Sequence, residues 1–193
     1  MEYFEVLRLR QSNRKFTPEQ ISVQQLSDLL LSANAAPTGS NLYKDIHLTV
    51  VQDKEVLKKL SQASDKRRED TERMKQILGE SALTRPRREP FCGAPTVIFV
   101  SHRKQDAQPG IEFANAMCVA YSMHLAATDL NLGSVLIWGI IEAMREIPEL
   151  DNTALLNLPD NFEPLMGLAV GYSEAELTAR DINPSKMTVN YIK

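Results

Sequence analysis

Arg10-Gln11-Ser12-Asn13-Arg14-Lys15-Phe16 gathers three cations and a hydroxyl into seven residues. An arginine guanidinium is a planar fork of donors that matches a phosphate, and a serine adds one more donor. Alone, such a cluster is more often a solvated face than a site. The residues before it change its meaning. Tyr3, Phe4, Val6, Leu7 and Leu9 form a short apolar helical pattern. A cluster leaving a packed helix is held by that packing, so its cations can converge on one anion. Arg10, Ser12 and Arg14 are the donors expected to bind it.

Other chemistry is hard to find. The chain has no G-x-S-x-G, no H-E-x-x-H and no paired carboxylate motif. His47, His102 and His124 are scattered without ligand spacing, and Cys92 and Cys118 form no metal or redox motif. His124 reads as a satisfied interior or interface residue. The hydroxyls of Tyr43 and Tyr172 read as surface or core groups. A metal site and a side-chain nucleophile are therefore not expected.

The elements that must position the anion site follow from periodicity. Ile21 to Ala36 reads as a helix: Ser22 and Gln25 stand at capping-box spacing, and Leu26, Leu29, Leu30 and Ala33 form one stripe. Pro37 stops it, and Thr38-Gly39-Ser40-Asn41 follows as a polar turn. Ile46–Val51 reads as a strand, and Lys54 to Ala63 as a short amphipathic helix. Residues 65–90 then mix eight Lys/Arg with six Asp/Glu, around a modest helix at Met74, Ile77 and Leu78. This excursion suits a lid or an inert surface helix equally. Thr96–Val100, Val135–Gly139 and Leu165–Val170 are nearly continuous apolar runs, the mark of strands buried on both faces. Ile111 to Leu130 is apolar nearly all round, which places it in the centre of a fold. Ile141–Ile147 and Asp151–Leu158 are short helices. The tail Met187-Thr188-Val189-Asn190-Tyr191-Ile192 is β-rich and must find a partner in its own sheet or in another subunit.

The totals set the class. A chain of 193 residues with 43% hydrophobic and 24% charged content suits one globular α+β domain over 1–193, with a mixed or antiparallel sheet flanked by helices. A net charge of −3 argues against nucleic acid or a membrane surface as partner. With neither a signal peptide nor an 18-residue apolar run, a cytoplasmic location is expected.

Five motifs in order resemble the FMN-dependent nitroreductase family. The basic cluster is similar to its opening R-R-S-x-R-x-F. Ala36-Pro37-Thr38-Gly39-Ser40-Asn41 is similar to its A-P-S-x-x-N turn. Cys92-Gly93-Ala94-Pro95 before an apolar strand is similar to its third block. Leu125-Ala126-Ala127-Thr128-Asp129-Leu130-Asn131-Leu132-Gly133-Ser134 is similar to L-A-A-x-x-L-G-L-G-S. Pro164 to Tyr172 is similar to its closing strand, which ends in G-Y.

The resemblance implies a homodimer with two FMN molecules at the subunit interface. It implies NADH or NADPH as electron donor, and a ping-pong cycle that reduces a small-molecule acceptor such as a nitroaromatic or a quinone. The flavin carries the chemistry; the protein binds and orients it. Carried over, Arg10, Gln11, Ser12 and Arg14 hold the phosphate and ribityl chain. Pro37, Thr38, Ser40 and Asn41 line the flavin ring from the partner subunit. Trp138 and Gly139 pass the ring, and Arg180 or Lys186 closes the phosphate site from the tail. Gln11 replaces the family's usual cation. Leu42-Tyr43-Lys44-Asp45 replaces its x-Q-P-W, and Ser122 replaces an Asn of the central helix, so the substrate pocket is the least secure part. The alternatives are a dehydrogenase or dehalogenase-like chemistry on the same scaffold, or a non-enzymatic flavin-binding dimer.

Overall fold

The computed structural model describes residues 1–69, 76, 89–146, 152–183 and 185–193. Its centre is a four-stranded sheet in the order β1-β2-β4-β3, from β1 (Ile46–Val51), β2 (Thr96–Arg103), β3 (Gly133–Ile137) and β4 (Phe162–Gly171). All three ladders are antiparallel, the simpler form of the expected sheet. Among the described residues, six α-helices flank it: α1 (Tyr3–Leu9), α2 (Val23–Asn34), α3 (Lys54–Glu69), α4 (Ile111–Asp129), α5 (Gly139–Glu146) and α6 (Asn152–Leu156).

The continuous apolar runs do bury both faces. On β2, Val97 and Phe99 enter one core cluster and Ile98 and Val100 the other, as strand alternation requires. The first cluster takes Leu57 and Leu60 of α3 with Ile140, Ile141 and Met144 of α5. The second takes Leu29 of α2 with Val119 and Met123 of α4. Each such side chain contributes about 1.5–3 kcal/mol on leaving water.

Local signals in α2 hold atom for atom. The Gln25 N–H donates to Ser22 Oγ at 3.1 Å, and the Ser22 N–H donates to Gln25 Oε1 at 2.9 Å. Other expectations need correction. The second apolar run, Val135–Gly139, ends as strand at Ile137, and Gly139 opens α5 instead of closing β3. The run stays apolar across this junction, so hydropathy alone could not mark it. Helix α4 does not lie wholly inside the fold. Asn115, Ala116, Val119, Ala120, Met123 and His124 are buried, whereas Met117 is 40% exposed and Tyr121 38%. Its apolar outer face is therefore uncovered within one chain. The tail finds no place in its own sheet, and Ile192 is 93% exposed. The helix expected around Met74, Ile77 and Leu78 lies outside the described residues.

A strap formed by the residues after α1 crosses the ends of β3 and β4. Phe16 is buried and bridges Ser173, and the Thr17 N–H donates to the Tyr172 carbonyl at 2.9 Å. Gly171 makes room for this: a Cβ there would meet Pro95 Cδ at 2.7 Å and Phe16 Cδ1 at 3.3 Å. A Cβ added at Gly139 would meet no side chain within 4 Å. Gly171→Ala should therefore lower unfolding free energy by about 1–3 kcal/mol through overpacking. Gly139→Ala should stay within about 1 kcal/mol of the parent. Urea titrations of both variants check this, and equal effects would show that the strap is not tightly seated.

Candidate cofactor site

The strap brings the first set of site residues together. Arg10 caps the C-terminus of α1, its N–H donating to the Val6 carbonyl at 2.8 Å. Two residues on, Ser12 pairs with Ser134 in a single parallel bridge. The Asn13 N–H donates to the Ser134 carbonyl at 3.0 Å, and Asn13 Nδ2 donates to Ser173 Oγ at 3.1 Å. The approach is close enough that a Cβ on Gly133 would lie 3.1 Å from Asn13 Cβ. The strap's position is thus set by backbone bonds, and its donors start from a fixed base.

Arg10 is half-buried, and its Nη1 lies 2.9 Å from His124 Nε2. An arginine only donates, so Nε2 must be the acceptor and carry no proton. The ring proton is then on Nδ1, which donates to Ser134 Oγ at 2.6 Å. His124 is 1% exposed. Burial, then the Arg10 charge, then the Arg180 charge push its pKa down to about 4. The imidazole is a neutral spacer between a cation and a hydroxyl.

Arg180 joins this group from the other end of the chain. Its N–H donates to the Arg8 carbonyl at 3.1 Å and its Nη2 to the Leu7 carbonyl at 3.4 Å. Burial and then the neighbouring Arg180 charge lower the Arg10 pKa. Among the described residues, neither arginine is ion-paired with a carboxylate. Two guanidiniums repelling each other around a neutral histidine form a site that favours an anion. Of the two candidates in the tail, Arg180 sits beside Arg10. The Lys186 N–H bonds only within the tail, to the Asn183 carbonyl.

The remaining predicted residues divide. The exposed hydroxyl of Ser12 lies on the strap, and the half-buried Gln11 adjoins it without a side-chain hydrogen bond among the described residues. Arg14 donates to the Ser12 carbonyl at 3.3 Å. It also lines a cavity of about 560 Å³ with Lys15, Glu89, Cys92 and Gly93.

The turn after α2 is a separate construction. The Gly39 N–H donates to Asn115 Oδ1 at 2.8 Å. Asn115 Nδ2 lies 3.4 Å from Nε2 of the fully buried His102, whose Nδ1 donates to the Arg103 carbonyl at 2.7 Å. Ser40 and Asn41 both take left-handed φ, 56° and 55°, and Ser40 Oγ bonds Gln108 Oε1 at 2.9 Å. Thr38 Oγ1 is buried without a partner among the described residues, and Pro37 is exposed. Trp138 lies at this same end of α4. It is 42% exposed, and its ring centroid is 5.9 Å from that of Phe113. Asn115 and His124 are nine positions apart on α4, about 14 Å along the axis. Within one chain the turn and the arginine pair therefore belong to different ends of the same helix.

His124 and Ser134 are the residues that sequence reasoning left out of the site. His124 stands on an apolar helix with no local motif, and only its pairing with Arg10 reveals it.

The Nitroreductase family model matches residues 7–172. The chain belongs to the nitroreductase family. No curated protein matches it. Among solved structures, it is similar to a nitroreductase with bound FMN from Bacteroides fragilis, at 23% identity and TM-score 0.79, over 99% of this chain and 100% of that one. An FMN-dependent nitroreductase from Clostridium difficile matches at 27% identity and TM-score 0.71, over 97% and 99%. A BluB-like flavoprotein from Clostridium difficile matches at 19% and 0.77, covering both chains fully. The α+β fold expected from the sequence is thus the nitroreductase fold.

The lowered pKa of His124 makes stability depend on pH. Between about 4 and 6.5 the unfolded chain binds the proton and the native chain does not, so stability rises with pH across that window. Acidification from 6.5 to 4 should cost the anion-free protein about 3 kcal/mol through this group. His124→Gln should remove that part of the slope. Urea titrations at pH 7, 5.5 and 4.5 compare the two proteins, and equal slopes would place the sensitivity elsewhere.

Proposed function

We propose that this nitroreductase-family protein binds FMN and uses NADH or NADPH to reduce small electron-poor acceptors, nitroaromatics or quinones, in a ping-pong cycle. The observation that carries the reading is the Arg10–Arg180 pair, in which neither guanidinium is ion-paired with a carboxylate among the described residues. Bound FMN supplies the redox chemistry, accepting hydride from the nicotinamide and passing electrons to the acceptor.

The chain's own residues bind and orient. Arg10 and Arg180 hold the phosphate, Ser12 donates to it, and Gln11 and Arg14 reach the ribityl chain. Strand β3 runs from Ser134, beside the arginines, toward Trp138, a span of about 13 Å. This suits an elongated molecule with an anion at one end and a flat ring at the other. Trp138 and the Gly139 backbone line the ring.

The Pro37–Asn41 turn completes the site from the partner subunit. The Thr38 hydroxyl, buried without a partner among the described residues, supports that arrangement. A homodimer also accounts for the apolar surface of Tyr3, Phe4, Met117 and Tyr121, and for the unpaired tail at Tyr191 and Ile192. A second copy buries surface that one chain leaves in water.

The purified protein should be yellow, with flavin absorbance that bleaches on anaerobic addition of NADH or NADPH and returns with a nitroaromatic or quinone. Light scattering should give twice the chain mass. A colourless protein that takes up no added FMN would overturn the reading. Arg10→Ala and Arg180→Ala should each weaken FMN binding at least tenfold, since a charge-assisted bond contributes about 1.5–3 kcal/mol. Fluorescence titration measures this, and unchanged affinity in the double variant would displace the phosphate from this pair.

A further inference from the structure

We propose that His124 is a positioning residue for the cofactor phosphate: a neutral strut, braced on Ser134, that aims the Arg10 guanidinium into the anion site. This rests on the proposed FMN reading and adds to it a residue that touches no cofactor.

The geometry closes a ring. The strap carrying Arg10 is fixed to Ser134 by the Asn13 N–H at 3.0 Å. The Ser134 hydroxyl accepts from His124 Nδ1 at 2.6 Å, and His124 Nε2 accepts from Arg10 Nη1 at 2.9 Å. The same residue of β3 thus holds the strap's backbone at Asn13 and, through His124, the Arg10 head group. His124 is itself fixed, one helical face of α4 being packed on the sheet, with the Tyr121 ring 6.3 Å from its own.

The choice of a neutral acceptor has a physical reason. Arg10 stands next to Arg180, and a free side chain would swing away from a like charge. The usual anchor for an arginine is a carboxylate, but a carboxylate here would neutralise the cation and compete with the phosphate. Imidazole with its proton on Nδ1 accepts one of the five guanidinium N–H bonds and leaves the full positive charge in place. A hydroxyl or amide could accept as well, but only a group with a donor on its far side can brace on Ser134 at the same time. A glutamine amide also has one acceptor and one donor end, which makes it the conservative replacement.

The test compares FMN with riboflavin, which lacks the phosphate, by fluorescence titration of the dimer. His124→Leu should raise the FMN Kd about fivefold or more and leave the riboflavin Kd within about twofold. His124→Gln should recover most of the loss. In an Arg10→Ala background, His124→Leu should add nothing further, because the strut would have nothing to aim. Ser134→Ala, which removes only the brace, should give a smaller loss of the same FMN-selective kind, and it carries the test if the leucine variant does not fold. Unchanged FMN affinity, an equal loss for both flavins, or an additive loss with Arg10→Ala would each overturn the strut. If instead Arg10→Ala leaves FMN affinity unchanged, the phosphate placement itself fails, whatever His124 does.

Discussion

The hydrogen bond from the Asn13 N–H to the Ser134 carbonyl, answered by one from the Ser134 N–H to Asn13 Oδ1, is the constraint on which the rest of this architecture depends. Without it the basic residues after α1 would be a flexible stretch on a mildly acidic protein. With it, Arg10, Ser12 and Phe16 acquire fixed places across the ends of β3 and β4. The glycines serve the same contact. Gly133 and Gly171 let the strap approach at distances where a Cβ would crowd Asn13 and Phe16. The sheet therefore does more than bury apolar surface: its open end is the seat on which the donors rest.

The electrostatics follow from that seat. The half-buried Arg10 guanidinium, within the field of the exposed Arg180, is unfavourable in the absence of an anion, and His124 is pushed down by its burial and then by the same two cations. A group kept neutral by burial and by two cations contributes a hydrogen bond without spending the local charge. The nitroreductase family match, over residues 7–172, covers Arg10, His124 and Ser134 and stops short of Arg180. Stability and binding pull in opposite directions here, as they do at preorganised sites generally.

Much of this was legible in the residues, for identifiable reasons. The capping box of Ser22 and Gln25 is a local interaction, and it forms as its spacing dictates. The doubly buried strands β2 and β4 read correctly because continuous apolar runs have few other homes. The basic cluster was visible as a composition. What could not be read depends on contacts across the chain. His124 looks like any histidine on a packed helix until Arg10 is brought to it. The outer face of α4 is apolar whether its cover comes from the same chain or from another, so its composition could not say that Met117 and Tyr121 stay open. The same ambiguity holds for the tail. Arg180 and Lys186 are both basic residues of an extended segment, and only the bond from the Arg180 backbone to Arg8 separates them.

That last bond has a consequence for how the protein is made. The hydrogen bond from Arg180 to Leu7 joins residues 173 positions apart. Everything needed for the sheet and both core clusters lies between them, so a growing chain can fold as far as β4 with only half of its guanidinium pair in place. Synthesis runs from the N-terminus, and contacts of such separation close last. Folding therefore precedes charge assembly: a nascent chain on the ribosome can complete its sheet before Arg180 reaches the neighbourhood of Arg10.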